Sequence, residues 1–380
     1  MHGIKTNVLT TGTRPINPVN TAIIGLVATA SAAAGAATTA LNAAFPLDTP
    51  VLVTDIRKAI GDAGTGGTLK GALEAIADQG SPFVVVVRVD IDEDAEAQEN
   101  LVIGGNTAGR YTGMQALLAA ELQTGSRPRI IGAPGLDSQG AVTELVVVAQ
   151  KLRGMVYAAA QGATIAEAVT YAGDFNAREL MLLWPDFTSG DAVARALGLR
   201  AAIDEAQGWH KTLSNVAVNG VTGLSKDVTF DIQDESTDAS ALNDGLITTM
   251  VRSNGFRFWG NRTLSDEPLF SFESATRTSQ VLQDEIADGL RWAVDKPLTV
   301  SLIKDVIETI NARFRSLVAQ GRLIGAKAWY DPALNNQTDL ANGKLVIDYD
   351  FTPAAPLEGL TLNQRITDRF YADFGAQLAA

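Results

Sequence analysis

Between residues 50 and 205, short apolar runs alternate with segments whose apolar positions recur at helical spacing. Val51–Thr54, Phe83–Val89, Arg129–Ala133, Met155–Ala160 and Leu180–Trp184 lack polar alternation, so each reads as a strand buried on both faces. Leu69–Gln79, Met114–Leu122, Ala141–Leu152 and Asp191–Ala206 read as the helices between them. Strands of this kind, separated by helices, predict a parallel α/β sheet covered on both sides.

The two ends carry a different pattern. Ile4, Thr6 and Val8 alternate with Lys5, Asn7 and Leu9 before Pro15 and Pro18 interrupt, which predicts an extended arm over residues 1–18. Near the other end Leu345, Ile347, Tyr349 and Phe351 share one side of a strand, Lys344, Val346, Asp348 and Asp350 the other, and Pro353 and Pro356 close it. A lone strand cannot satisfy its own backbone, so each must pair with a sheet in its own chain or in a neighbour's. Thr361–Arg369 fits one more extended piece, or a helix through Leu362, Ile366 and Phe370.

After Asn215 the texture changes, with Gly220, Gly223, Gly245, Gly255 and Gly260 punctuating short β-like pieces such as Val228–Ile232. A boundary is expected near residue 245. Beyond it, Ser279–Val294 predicts a helix stopped by Pro297. Leu298–Ala319 predicts a stronger one, with Ile303, Val306, Ile307, Ile310, Phe314 and Leu317 on one face and Gly321 as its stop. On this reading the chain divides into an arm (1–18), an α/β region (19–95), a second α/β domain (96–245), an α+β domain (246–342) and a terminal strand segment (343–380).

Composition narrows the classes. A chain of 380 residues, 46% hydrophobic and 19% charged, can bury more than one ordinary globular core. Lysine and arginine total 30 against 43 acidic residues, and a net charge of -13 repels phosphate backbones, so no direct nucleic-acid partner is expected. The absence of cysteine excludes disulfides and thiolate chemistry and suits assembly in a reducing cytoplasm. Thr21–Pro46 is low in charge, but its alanines and threonines fall short of the roughly 20 strongly apolar residues of a membrane span. Neither a membrane anchor nor a secretion signal is expected.

A parallel α/β sheet raises the expectation of an enzyme, yet the chemistry does not converge. The glycine-rich run Gly64–Gly71 lacks the Gly-Lys-Ser/Thr of a phosphate loop, and Gly343-Lys344 is followed by Leu345, so a plain turn and helix start is predicted at 64–71. The two histidines, His2 and His210, cannot build a histidine metal site. The acidic run Asp90, Asp92, Glu93, Asp94 and Glu96 lacks the central glycine and closing glutamate of a calcium loop and reads as a solvated turn. No Gly-x-Ser-x-Gly elbow is present, and His210 beside Trp209 reads as a packing residue. No catalytic group, metal or cofactor is predicted, and an α/β enzyme of unknown substrate remains the competing class.

Gly255-Phe256-Arg257-Phe258-Trp259-Gly260-Asn261-Arg262-Thr263, Trp292-Ala293-Val294-Asp295-Lys296-Pro297, the stretch Gln207–Asn215 and Gly220-Val221-Thr222-Gly223 resemble the tail sheath proteins of P2-like contractile phages and the related R-type pyocin sheaths. The resemblance covers essentially the whole chain. It implies a virion subunit, made in the host cytoplasm, that stacks as hexameric rings in a helical homopolymer around a tail tube. It further implies a baseplate and a tail terminator as partners, and contraction that drives the tube through the target envelope. An R-type bacteriocin sheath is the alternative. The fold implied is a non-catalytic, subtilisin-like α/β outer region over an inner α+β domain beside the tube. Terminal strands would add to a neighbour's inner sheet, with Ile4, Thr6 and Val8 at one end and Leu345, Ile347, Tyr349 and Phe351 at the other. Gln283, Asp284, Asp288 and Arg291 on the Ser279–Val294 helix are the candidates to face the tube.

Overall fold

The apolar runs condense into one large sheet, and the carboxyl-terminal third adds a small one. The computed structural model describes residues 15–371 and 374–378, so the expected arm strand at Ile4, Thr6 and Val8 lies outside the described residues. The strands are β1 (Ile24–Thr29), β2 (Val51–Val53), β3 (Val84–Val89), the short pair β4 (Asn106–Thr107) and β5 (Arg110–Tyr111), then β6 (Ile130–Gly132), β7 (Met155–Ala159), β8 (Leu180–Leu183), β9 (Ile247–Arg252), β10 (Phe256–Trp259), β11 (Leu323–Trp329) and β12 (Asp348–Pro353).

The large sheet has eight strands in the order β10-β9-β8-β7-β6-β1-β3-β2. From β9 to β3 the pairs are parallel, with Ile24 opposite both Val84 and Ile130, and an antiparallel strand closes each edge. Side-chain alternation feeds two separate cores. Ile24, Leu26, Val84 and Val86 face the layer of α1 (Ala36–Ala44), α2 (Ile56–Asp62) and α3 (Leu69–Ala77), whereas Val27, Val85 and Val87 face the layer of α4 (Ala95–Ile103), α5 (Ala120–Thr124), α6 (Gln139–Leu152) and α7 (Ile165–Ala172). The first layer also holds α8 (Ala192–Ala206), and the second holds α9 (Asp238–Asp244). A Cβ at Gly198 would sit 2.8 Å from the Ile76 Cα, so glycine is what lets α8 lie directly on α3.

The remaining chain forms a second unit with its own core, the counterpart of the expected inner domain and called the inner unit for that reason. It comprises α10 (Glu273–Leu290), α11 (Val300–Ala319), β11, α12 (Gln337–Ala341) and β12; a short helix α13 (Phe374–Leu378) lies beyond it with Phe374 and Leu378 exposed. Thr299 caps α11 by accepting from the Leu302 N–H at 3.2 Å. Val306, Ile310, Phe314 and Leu317 of α11 then meet Val281, Leu282 and Ile286 of α10, together with Leu323, Ala328 and Trp209. Gly321 turns the chain after α11 with φ of 70°.

The expected α/β strands are present within a residue or two, and the Gly64–Gly71 turn leads into α3 as predicted. Four features differ from the sequence reading. The central strand β1 lies in the Thr21–Pro46 stretch, where glycine, alanine and threonine dilute the strand signal. The large sheet runs across both expected boundaries: β6 pairs with β1 across the one near 95, and β9 and β10 extend the sheet beyond β8 across the one near 245. Val228–Ile232 forms no strand and ends in a tight turn that bridges Asp231 to Asp234. Helix α10 begins at Glu273, not at Ser279, since its first turns are polar residues buried by ion pairing, which hydrophobic periodicity does not register.

Candidate functional site

Two regions of the inner unit are built for more than packing: its small sheet with the segment that follows, and the seam that joins it to the α/β body. In the sheet, β11 and β12 pair antiparallel from Trp329↔Asp348 to Leu323↔Pro353, with an irregularity between Leu323 and Gly325. Tyr349 packs on Phe314 with ring centres 5.8 Å apart, and Phe351 stacks beside Tyr349 at 6.4 Å. Among the described residues no third strand joins; on the outer edge of β11 the Asn311 side chain holds the N–H and C=O of Ala328, at 2.8 and 3.0 Å, while β12 carries no such cover from Asp348 to Pro353. On the opposite face from the core, Ile324 is 69% exposed.

Beyond β12 the chain leaves the body. Ala354–Asp368 has no regular structure, yet Leu357, Leu360, Leu362, Ile366, Phe370 and Tyr371 all stand exposed, Ile366 at 98%. At the root of this run Glu358 accepts from Arg262 through both carboxylate oxygens, at 2.9 and 2.5 Å.

The seam is carried by α10. Its first turns face the body and bury Glu273, whose carboxylate accepts from Arg200 at 3.1 Å, from the Leu213 N–H at 3.1 Å and from the Tyr157 hydroxyl. Arg200 also pairs with Asp204 at 2.7 Å, and Arg277 reaches the other oxygen of Asp204. Further along, Asp284 is buried against Arg129 at 2.5 Å, with Arg153 and, at 3.6 Å, Arg127. Glu285, one position on, turns to the other side and is held by both arms of Arg313 at 2.8 and 2.6 Å. A single helix thus ties body and inner unit together by carboxylates that arginines neutralise on each side.

The titration behaviour follows from this crowding. Burial alone would raise Glu273, but Arg200 and Arg277 prevail and hold it below the ordinary glutamate range. Burial, reinforced by the Glu273 charge, drives the Tyr157 hydroxyl well above its usual value. Desolvation pulls Arg129 down to about 10, Asp284 notwithstanding.

Of the expected site residues, Asp284 is withdrawn from any outer contact: it is 5% exposed and committed to the three arginines. Gln283 and Asp288 are exposed on α10, and Arg291 follows it in a short turn, pairing with Asp288 at 2.7 Å. Tyr349 and Phe351 lie in β12, while Leu345 and Ile347 precede it in a segment that Asn335 holds by bonds to both the N–H and C=O of Val346. The sequence reading missed the seam, although its signature is visible as Arg200/Asp204 and Glu273/Arg277 at i,i+4 spacing. His210 sits beside Trp209 at 6.3 Å, against the Arg322 side of the inner unit, and Arg322 stacks over Trp209 at 4.4 Å. Among the described residues no group of three or more His, Asp or Glu side chains could hold a metal ion, and no helix is long and apolar enough to cross a membrane.

A sheet that no third strand joins and an exposed apolar run are surfaces suited to association with other chains, and the charged seam is structural. Comparison with known proteins agrees. Residues 21–89 match the family described as the tail sheath protein Gp18 domain III N-terminal region, residues 109–264 the phage tail sheath protein central domain, and residues 265–367 the phage tail sheath C-terminal domain. The tail sheath protein of Escherichia phage P2 is 49% identical over 98% of this chain and 97% of its own length. The major tail sheath protein of Serratia phage KSP20 is 48% identical over 97% and 96%. The fold is shared with the contracted helical sheath of the anti-feeding prophage (TM-score 0.70, 16% identity, 97% of this chain and 99% of that one). It is shared equally with the PVC sheath complex of an extracellular contractile injection system in its contracted state (TM-score 0.69, 16% identity, 97% and 98%). The chain belongs to the phage tail sheath protein family. It is a tail sheath protein, a structural component of the virion and not an enzyme.

Proposed function

We propose that copies of this chain stack as hexameric rings into a helical sheath around a tail tube, with the inner unit toward the tube and the α/β body, subtilisin-like but without protease function, outside. The terminal segments pass to neighbouring copies and pair with the outer edges of β11 and β12. In this reading Tyr349 and Phe351, with Leu345 and Ile347 leading into them, form the receiving sheet. The donated strands are the exposed run from Leu357 at one end and Ile4, Thr6 and Val8 at the other. Exposed Gln283, Asp288 and Arg291 are proposed to touch the tube, weakly enough to release it.

One observation carries the proposal. The apolar side chains from Leu357 to Tyr371 are exposed in the isolated chain, beside a two-stranded sheet that no third strand joins among the described residues. A soluble chain with such a surface is incomplete without a partner, and a strand added to an open edge buries it. Each added strand contributes several backbone hydrogen bonds at about 1 kcal/mol net apiece. Repetition over a ring makes the sum large. Contraction then proceeds as the rigid bodies pivot at the linkers while the shared strands hold, relaxing a metastable array to a better-packed one. The baseplate starts the change and the terminator bounds the far end, in a particle assembled in the host cytoplasm.

Ending the chain at Pro356 tests this. The shortened protein is expected to melt within a few degrees of the full chain, because the inner core is untouched, but to remain in small species by sedimentation velocity and to form no tubes under negative stain. Tubes of native width from the shortened protein would refute the exchange.

A further inference from the structure

The exchange proposed above raises a physical problem, and the structure contains a device that addresses it. The connection Ala354–Leu357 between β12 and Glu358 has four residues, and hairpin loops are commonly about 2–5 residues long. The run from Glu358 could therefore fold back on its own β12, fill the open edge in the same chain and end polymerisation. Nothing in the apolar character of Leu360 and Leu362 prevents this.

The first residue of the run is held elsewhere. Glu358 is clasped through both oxygens by Arg262, which lies between β10 and α10 on the α/β body. Arg262 is itself fixed by a backbone bridge to Phe272 and by stacking over the Phe272 ring at 4.9 Å. The connection passes along a cleft of 870 Å³, lined by Trp259, Asn261, Arg262, Ala354 and Leu357 among others. Beyond Glu358 no hydrogen bond or ion pair ties residues 359–366 to the described body, and these residues are exposed. We propose that Arg262 and Glu358 form a latch that keeps the arm off its own β12, so that the edge stays open for a neighbour's strand. The inference rests on the exchange reading and names Arg262 as a positioning residue for it.

The chain has no cysteine, which permits a direct assay. In a hairpin closed by Ala354–Leu357, positions 350 and 361 fall opposite each other, so D350C together with T361C reports self-capture as an intramolecular disulfide. In dilute protein, adding R262A is expected to raise the disulfide yield up to about fivefold, the population shift an exposed ion pair can exert. E358A, which leaves the stacking of Arg262 intact, is expected to do the same. R262E should behave like R262A, and the R262E/E358R exchange should return the yield toward the starting value. Equal yields with and without the pair, or no rescue by the exchanged charges, would overturn the latch. That failure is separable from failure of the exchange: tubes formed by the chain ending at Pro356 would remove the exchange itself, whereas equal disulfide yields with assembly still dependent on the arm would remove only the latch.

Discussion

At the residue scale the sheath subunit is held in one shape by charges that would be costly if unpaired. Glu273 is fully buried and answers two arginines, a tyrosine hydroxyl and a backbone N–H. Replacing it by glutamine keeps the volume but leaves Arg200 and Arg277 to share Asp204 alone. E273Q is expected to lower unfolding stability by about 3–5 kcal/mol, measured by denaturant titration at neutral pH. The same carboxylate adds a pH dependence. Because its folded pKa is depressed, its contribution is complete above the ordinary glutamate value of 4.5 and is lost as pH falls through the folded value. Native stability should therefore fall more steeply with acid than that of E273Q, and parallel pH profiles would show that Glu273 is not the group responsible. Asp137, raised to about 6 by burial, works in the opposite sense and blunts the native profile from above.

At the scale of elements, the legible parts were those where burial is apolar. The strands β3, β6, β7 and β8 are runs of valine, isoleucine, leucine and methionine, and α11 carries its apolar stripe at helical spacing, so pattern alone located them. The start of α10 was hidden because Glu273, Arg277 and Asp284 are polar and yet buried, and only partners far along the chain make that possible. The central strand β1 was hidden for another reason: Gly25 is required where a Cβ would meet Pro128 at 2.8 Å, and the glycine, alanine and threonine of the surrounding Thr21–Pro46 stretch dilute its apolar run. β11 went unpredicted because Gly325, Ala326 and Lys327 give it little strand character apart from its partner β12. The inner core predicts its own sensitivity. Phe314 is 1% exposed between α10, β12 and Leu317, and F314A is expected to cost about 3–5 kcal/mol by thermal or denaturant unfolding and to loosen the receiving sheet. A cost below about 1 kcal/mol would mean that the inner unit has no core of its own.

At the scale of the whole molecule, the α/β body and the inner unit are joined by α10, while the run beyond Glu358 stands exposed. The candidate site was legible only in part: the strand marked by Tyr349 and Phe351 was expected to add to a neighbour's sheet, and in one copy it pairs with β11 of its own chain. In the proposed exchange the apolar run past Pro356 is the donor, because its leucines, isoleucine and aromatics stand exposed in one copy. The most direct measurement is an electron cryomicroscopy reconstruction of the assembled sheath, at a resolution that traces the backbone from β12 to the chain end. The account predicts β11 and β12 flanked by strands from other copies, one of them containing Leu360 and Leu362. A sheet that remains two-stranded, or one completed by the same chain's own tail, would contradict it.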